Sequence, residues 1–123
     1  MAVRILYYPN CSSCKKALRW LDQHGVGYES IHIQQEPPSK SQLKRYWQNS
    51  GLPLRKMFNT SGKAYREGGW SSTLKTVSDD EALEALAKDG MLIKRPILES
   101  GTNVVVGFKP SEYGAVFGVE DET

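Results

Sequence analysis

Cysteine is almost absent from this 123-residue chain: Cys11 and Cys14 are the only two. A framework of several disulfides therefore cannot be what holds the fold. Charge of one sign is also lacking. Sixteen Lys and Arg against fourteen Asp and Glu leave a net charge of +2. That excludes a strongly basic nucleic-acid binder by bulk charge and leaves room only for local patches. No apolar run approaches the length of about 20 residues that spans a bilayer. The opening "MAVRILYYPN" has a short apolar run and no small-residue cleavage site, so it does not read as a signal peptide. Histidine is scarce too. His24 and His32 are separated by seven residues rather than three to five, which is poor spacing for a zinc site built with the two cysteines. The absences together point to a cytoplasmic protein with no membrane segment, no metal and no direct DNA binding. In that compartment thiols are kept reduced, so a close cysteine pair reads as catalytic or metal-binding rather than structural. The length suits one domain, residues 1–123, able to bury about two thirds of its unfolded surface without a disulfide or a metal.

What is present is a succession of short periodic segments. "VRILYY", Val3 to Tyr8, is β-branched and aromatic and ends at Pro9-Asn10, which predicts a strand. Cys14, Ala17, Leu18 and Leu21 then fall on one face of a helix that Gly25 stops. "GYESIHI" alternates as a second strand. Pro37-Pro38 breaks the chain, and Ser39 with Gln42 has capping-box spacing for a helix over Lys40 to Asn49, closed by Gly51, with Leu43, Tyr46 and Trp47 inward. A short helix near Leu54 to Phe58 and a Gly-rich turn region follow. Ser78 and Glu81 cap a helix over Asp79 to Lys88, with Ala82, Leu83, Leu86 and Ala87 inward. Ile97 to Glu99 and "VVVGF" pair as a hairpin around Gly101-Thr102-Asn103. A short helix starts at Pro110-Ser111, and the acidic tail "VEDET" is expected to fray.

The order is β-α-β, a helical middle, then β-β-α. The first βαβ unit implies a parallel pair and the hairpin adds an antiparallel one. The predicted fold is α/β, a four-stranded mixed sheet of the thioredoxin-like, glutaredoxin-type arrangement, with a helical insertion over about 37–90.

The cysteines sit where the first strand passes into the first helix. A helix start offers unpaired N–H groups and the positive end of the dipole, which stabilise a thiolate. Cys11 is thus the expected exposed nucleophile. Cys14, one turn on, is the expected buried resolving thiol, able to release a product from a mixed disulfide. Lys15 and Lys16 add positive charge. Arg95-Pro96 is the second feature. In a fold of this type a proline opens the strand opposite the thiols with a cis peptide bond, and Arg95 would point at the thiols and attract an anion. The cluster Arg55, Lys56, Lys63 and Arg66 reads first as solvated loop charge.

"LYYPNCSSCKKALRWL", "LPLRKMFNTSG", "LIKRPIL" and "VVVGFKPSEY", in this order, resemble the ArsC/Spx family from Val3 to about Phe117. That family comprises glutaredoxin-coupled arsenate reductases, Spx regulators and small reductase-like relatives, and the "FNTSG" segment looks most like the last branch. The resemblance implies a thioredoxin fold with a helical insertion. It places the family nucleophile on Cys11, the arginine before the cis-proline on Arg95, and a second oxyanion-binding arginine on Arg55. A third arginine of the reductases has Lys109 as its nearest counterpart. Their histidine before the cysteine is Tyr7 or Tyr8 here. The additional Cys14 resembles Spx, whose members dock on the RNA polymerase α-subunit. The expectation is a thiol–disulfide oxidoreductase using Cys11, Cys14 and Arg95, with Arg95, Pro96 and Arg55 binding substrate. Its partners would be a small thiol or oxyanion, glutathione as a candidate co-substrate, and a glutaredoxin or thioredoxin donor. The alternatives are a redox-sensing regulator on the α-subunit and a glutaredoxin-coupled arsenate reductase.

Overall fold

In the computed structural model, which describes residues 2–119, the run "VRILY" forms β1, Val3–Tyr7. The aliphatic side chains Ile5 and Leu6 are buried there, while Pro9 and Asn10 end the extended run. Helix α1, Ser12–Gln23, follows at once and leads into β2, Glu29–His32. After the helical middle come β3, Ile97–Ser100, and β4, Asn103–Val106, and then α6, Pro110–Phe117. The sheet order is β2-β1-β3-β4. β1 pairs parallel with β2, Ile5 opposite Ser30, and antiparallel with β3, Ile5 opposite Leu98. The β3–β4 hairpin brings Leu98 against Val105. This is the mixed four-stranded sheet that the element order implied. Residues 120–123 of the acidic tail lie outside the described residues.

The chain divides into two units: residues up to His32 with those from Arg95 on, and Ile33–Lys94. In the first, Ile5, Ala17, Trp20, Leu21, Leu98, Val105 and Tyr113 form the core between sheet and helices. The inward face of α1 is Cys14, Ala17, Trp20 and Leu21. Trp20 thus takes the place expected of Leu18, which is half-buried. Its ring is large enough to meet Tyr113 edge-on at 5.5 Å and to stack on His24 at 3.9 Å, contacts a leucine could not make. β3 lies between β1 and β4 and is buried along its whole length, Glu99 and Ser100 included.

The second unit is helical. α2, Lys40–Ser50, begins with the Ser39–Gln42 capping box and ends at Gly51 with φ 70°, the left-handed conformation glycine adopts without cost. A 3-10 turn, Leu54–Met57, comes next. The Gly-rich region expected as turns holds two short helices, α3, Lys63–Glu67, and α4, Trp70–Thr73. Gly62 and Gly69 stand at their N-caps. Phe58 packs near Tyr65 and Trp70, so aromatic contacts order a segment whose composition signals breaks. α5, Asp79–Lys88, carries the Ser78–Glu81 capping box and three acidic residues in its first turn, where the dipole favours them. Leu43, Tyr46, Met57, Phe58, Leu86 and Ile93 are buried in this unit, whereas Trp47 and Ala87 are only half-buried. Trp47 keeps its indole N–H on the Leu52 carbonyl at 2.9 Å, a polar obligation that holds it at the edge. Among the described residues no helix is long and apolar enough to cross a membrane.

Candidate active site

β1 ends at Tyr7, and five residues later, at Ser12, the chain is helical. The turn between them is closed by the Cys11 amide donating to the Tyr8 carbonyl at 3.1 Å. Cys11 is then the N-cap of α1, with extended backbone at φ −103° and ψ 118°. Its Sγ accepts the Cys14 N–H at 3.4 Å, taking the role that a serine or aspartate oxygen usually plays at this position. The first turn of α1 holds no acidic residue to oppose an anion, and Lys15 and Lys16 are exposed beside it. Cys11 is half-buried and Cys14 fully buried, at 0% exposure, and both are free thiols.

The two sulfurs are unequal in chemistry as well as in access. Burial first, and then its hydrogen bond to Cys11 and the charge of Cys11, push the Cys14 thiol up to about 12. The Tyr8 N–H, which donates to Cys14 Sγ at 3.5 Å, and the charge of Arg95 pull the other way without prevailing. At neutral pH Cys14 is therefore protonated. Two of the influences that hold it there, the hydrogen bond and the charge of Cys11, vanish once Cys11 is bonded to another sulfur.

Arg95 comes from the other side of the sheet order, immediately before β3. Its peptide bond to Pro96 is cis, and the Pro96 carbonyl accepts the Gly107 N–H at 2.7 Å. The Arg95 guanidinium lies over the Tyr8 ring, 5.1 Å from its centroid. That ring in turn meets His32 edge-on at 5.7 Å, and Tyr7 meets the same imidazole at 5.8 Å. Cys11, Cys14, Arg95 and Pro96 thus belong to one cluster at one end of the strands. Arg55 belongs to the second unit, exposed on the 3-10 turn, where it and Lys75 border a groove of about 360 Å³ floored by Leu54, Leu74 and Ala82. Lys109 is exposed and pairs with Glu112 at 3.4 Å.

Two site residues escaped the sequence reading in their actual roles. Tyr8 touches both cysteines through its main chain and Arg95 through its ring. Tyr113, from α6, is fully buried, its hydroxyl has no hydrogen-bond partner among the described residues, and its ionisation is opposed by burial and then by Cys14. An aromatic directly before a Pro-x-Cys turn was the available signal for the first. Nothing local in the sequence signals the second, since it meets the site only through packing.

The model of the ArsC family matches residues 6–116. The chain is 49% identical to the uncharacterized protein YusI of Bacillus subtilis (strain 168), over 92% of this chain and 96% of that one. It is 27% identical to the regulatory protein MgsR of the same organism, over 85% and 82%. Among solved structures, an ArsC family related protein from Bacteroides fragilis superposes with a TM-score of 0.91 at 40% identity, covering 94% of this chain and 98% of that one. The arsenate reductase from Vibrio cholerae superposes with a TM-score of 0.82 at 29% identity, covering 98% of each.

Proposed function

Because the chain belongs to the ArsC family, we propose that it is a thiol–disulfide oxidoreductase working through Cys11, Cys14 and Arg95. The observation that carries the reading is the asymmetry of the thiols: a half-exposed cysteine caps a helix, one turn before a fully buried, protonated one. The Cys11 thiolate attacks one sulfur of a substrate disulfide, forming a mixed disulfide and expelling the other half as a thiolate that takes up a proton. Cys14 then loses its proton and attacks Cys11 Sγ. The second half leaves as a thiolate, and a Cys11–Cys14 disulfide remains. The substrate gains two electrons and the protein loses two. A dithiol donor of glutaredoxin or thioredoxin type returns them. Arg95 holds an anionic group of the substrate, for which a glutathione carboxylate or a small oxyanion is the right size and charge. A cytoplasmic setting, where thiols are kept reduced, suits this cycle.

The similarity to the regulatory protein MgsR and to Spx transcriptional regulators favours one further reading, in which the same pair is a switch on a protein that binds the RNA polymerase α-subunit. Glutathione disulfide, arsenate and purified α-subunit, each offered separately to the reduced protein, separate these readings. We expect a glutathione adduct on Cys11 that persists in Cys14→Ser and resolves to the internal disulfide in the natural chain. Arg95→Ala should slow its formation. Saturable α-subunit binding that changes with the internal disulfide, with no turnover of glutathione disulfide, would replace the enzyme by the switch. Turnover of arsenate alone would make the protein an arsenate reductase.

A further inference from the structure

Tyr8 is a side chain at this site that the proposed cycle leaves unused. It stands just past the end of β1, half-buried. Its carbonyl accepts the Cys11 N–H at 3.1 Å and its own N–H donates to Cys14 Sγ at 3.5 Å. Its ring carries the Arg95 guanidinium on its face, 5.1 Å from the centroid, and is met by the His32 ring at 5.7 Å and an interplanar angle of 76°. One residue therefore contacts both sulfur-bearing residues and the cation across from them. Its main chain is fixed by the β1 ladder on one side and the helix start on the other, and its ring is braced by His32.

An arginine has four rotatable side-chain bonds, and its effect on a thiolate falls steeply with distance and with exposure to water. Ordering it has an entropic cost that some contact must offset. The negative face of an aromatic ring offers that contact. A ring on the same residue that hydrogen-bonds the cysteines places the cation in register with them.

We propose that Tyr8 is a positioning residue that acts through its ring, holding Arg95 over the Cys11–Cys14 pair so that its charge reaches the reacting sulfur and the bound anion. This rests on the oxidoreductase reading of the site. The phenol hydroxyl has no part in it, so phenylalanine should serve and an aliphatic side chain should not.

The test is a cycle on the rate of Cys11 alkylation by iodoacetamide at neutral pH, read by mass spectrometry on the full chain. Variants are Tyr8→Leu, Tyr8→Phe, Arg95→Ala and the double variant Tyr8→Leu/Arg95→Ala. Tyr8→Leu should slow Cys11 by about two- to five-fold, the range that a partly exposed cation–π contact supports, and Tyr8→Phe should restore most of that loss. In the Arg95→Ala background, Tyr8→Leu should change nothing further. A Phe variant as slow as the Leu variant would show that the hydroxyl matters and overturn the proposal. So would an equal slowing by Tyr8→Leu with and without Arg95, which would make Tyr8 a packing residue. If Arg95→Ala slows Cys11 and Tyr8→Leu does not, this inference alone fails. If Arg95→Ala has no effect, the role of Arg95 in the oxidoreductase reading fails first, and Tyr8 with it.

Discussion

Cys14 should be nearly inert to alkylation in the folded, reduced protein. With the thiol at about 12, the thiolate fraction at pH 7.5 is ~3 × 10⁻⁵, against ~3 × 10⁻² for a cysteine at the ordinary value of 9.0. Ionisation alone therefore makes Cys14 about a thousandfold slower than an unperturbed thiol, and its 0% exposure adds a steric barrier. The causes can be taken apart by substitution at Cys11. Cys11→Ala removes both the hydrogen bond and the charge that raise Cys14. Cys11→Ser removes the charge but keeps an oxygen that can accept the bond. Cys14 reactivity should rank Cys11→Ala above Cys11→Ser above the natural chain, and stay below an unperturbed thiol in all three, because burial is the largest cause and survives. The assay is timed iodoacetamide labelling at pH 7.5, quenched with excess thiol, each cysteine quantified by peptide mass spectrometry, with circular dichroism to confirm the helix. If Cys14 labels as fast as Cys11 in the natural chain, or is unmoved by Cys11→Ala, the reasoning that assigns it the resolving role is wrong.

Other outcomes follow from the fold. Cys14 and Tyr113 both have raised values in the folded chain. A raised acid contributes fully below its unfolded value and loses that contribution as pH climbs toward the folded one, so urea midpoints should hold steady up to about pH 9 and fall between there and about 12. Leu21→Ala empties a site at 0% exposure in the first core and should cost about 2–5 kcal/mol by chemical denaturation. Ser78→Ala removes the cap of α5 and should cost about 1 kcal/mol in the same measurement, a loss that Ser78→Asp should largely avoid. At Gly90, an added Cβ would run into the main-chain carbonyl of Ile33, so Gly90→Ala should destabilise by about 1–3 kcal/mol, and a neutral result would mean that backbone can yield.

Local chemistry was legible where one or two residues decide it. Both capping boxes are present at the positions their Ser-x-x-Gln and Ser-x-x-Glu spacings indicated, and the strands fall within a residue or two of where their alternation ended. The cluster of Cys11, Cys14 and Arg95-Pro96 could be read because each element has its own signature: a helix start, a one-turn spacing and an arginine before a proline at a strand entrance. Packing was less legible. Leu18 and Trp20 flank the apolar stripe of α1 on opposite sides, and the packing of Trp20 on Tyr113 from α6, which no local signal in the sequence announces, goes with its burial. Helices α3 and α4 were hidden because glycine and serine signal turns, while the aromatic contacts that order them reach back to Phe58, outside either helix.

The N-cap of α1 has a consequence beyond geometry. The sulfur that accepts the Cys14 N–H is the same sulfur that would enter a covalent bond. Each turn of the proposed cycle withdraws negative charge from the place where the helix begins and returns it on reduction. Helix stability and redox poise then become two edges of one thermodynamic square. Whatever strengthens the start of α1 more in the reduced protein than in the oxidised one makes oxidation harder by that difference, and whatever weakens it more in the reduced protein makes oxidation easier. The first turn of a twelve-residue helix would in this way act as a setting for the potential of the thiol pair, adjustable by substitutions at Ser12 and Ser13, which touch neither sulfur's bonding electrons.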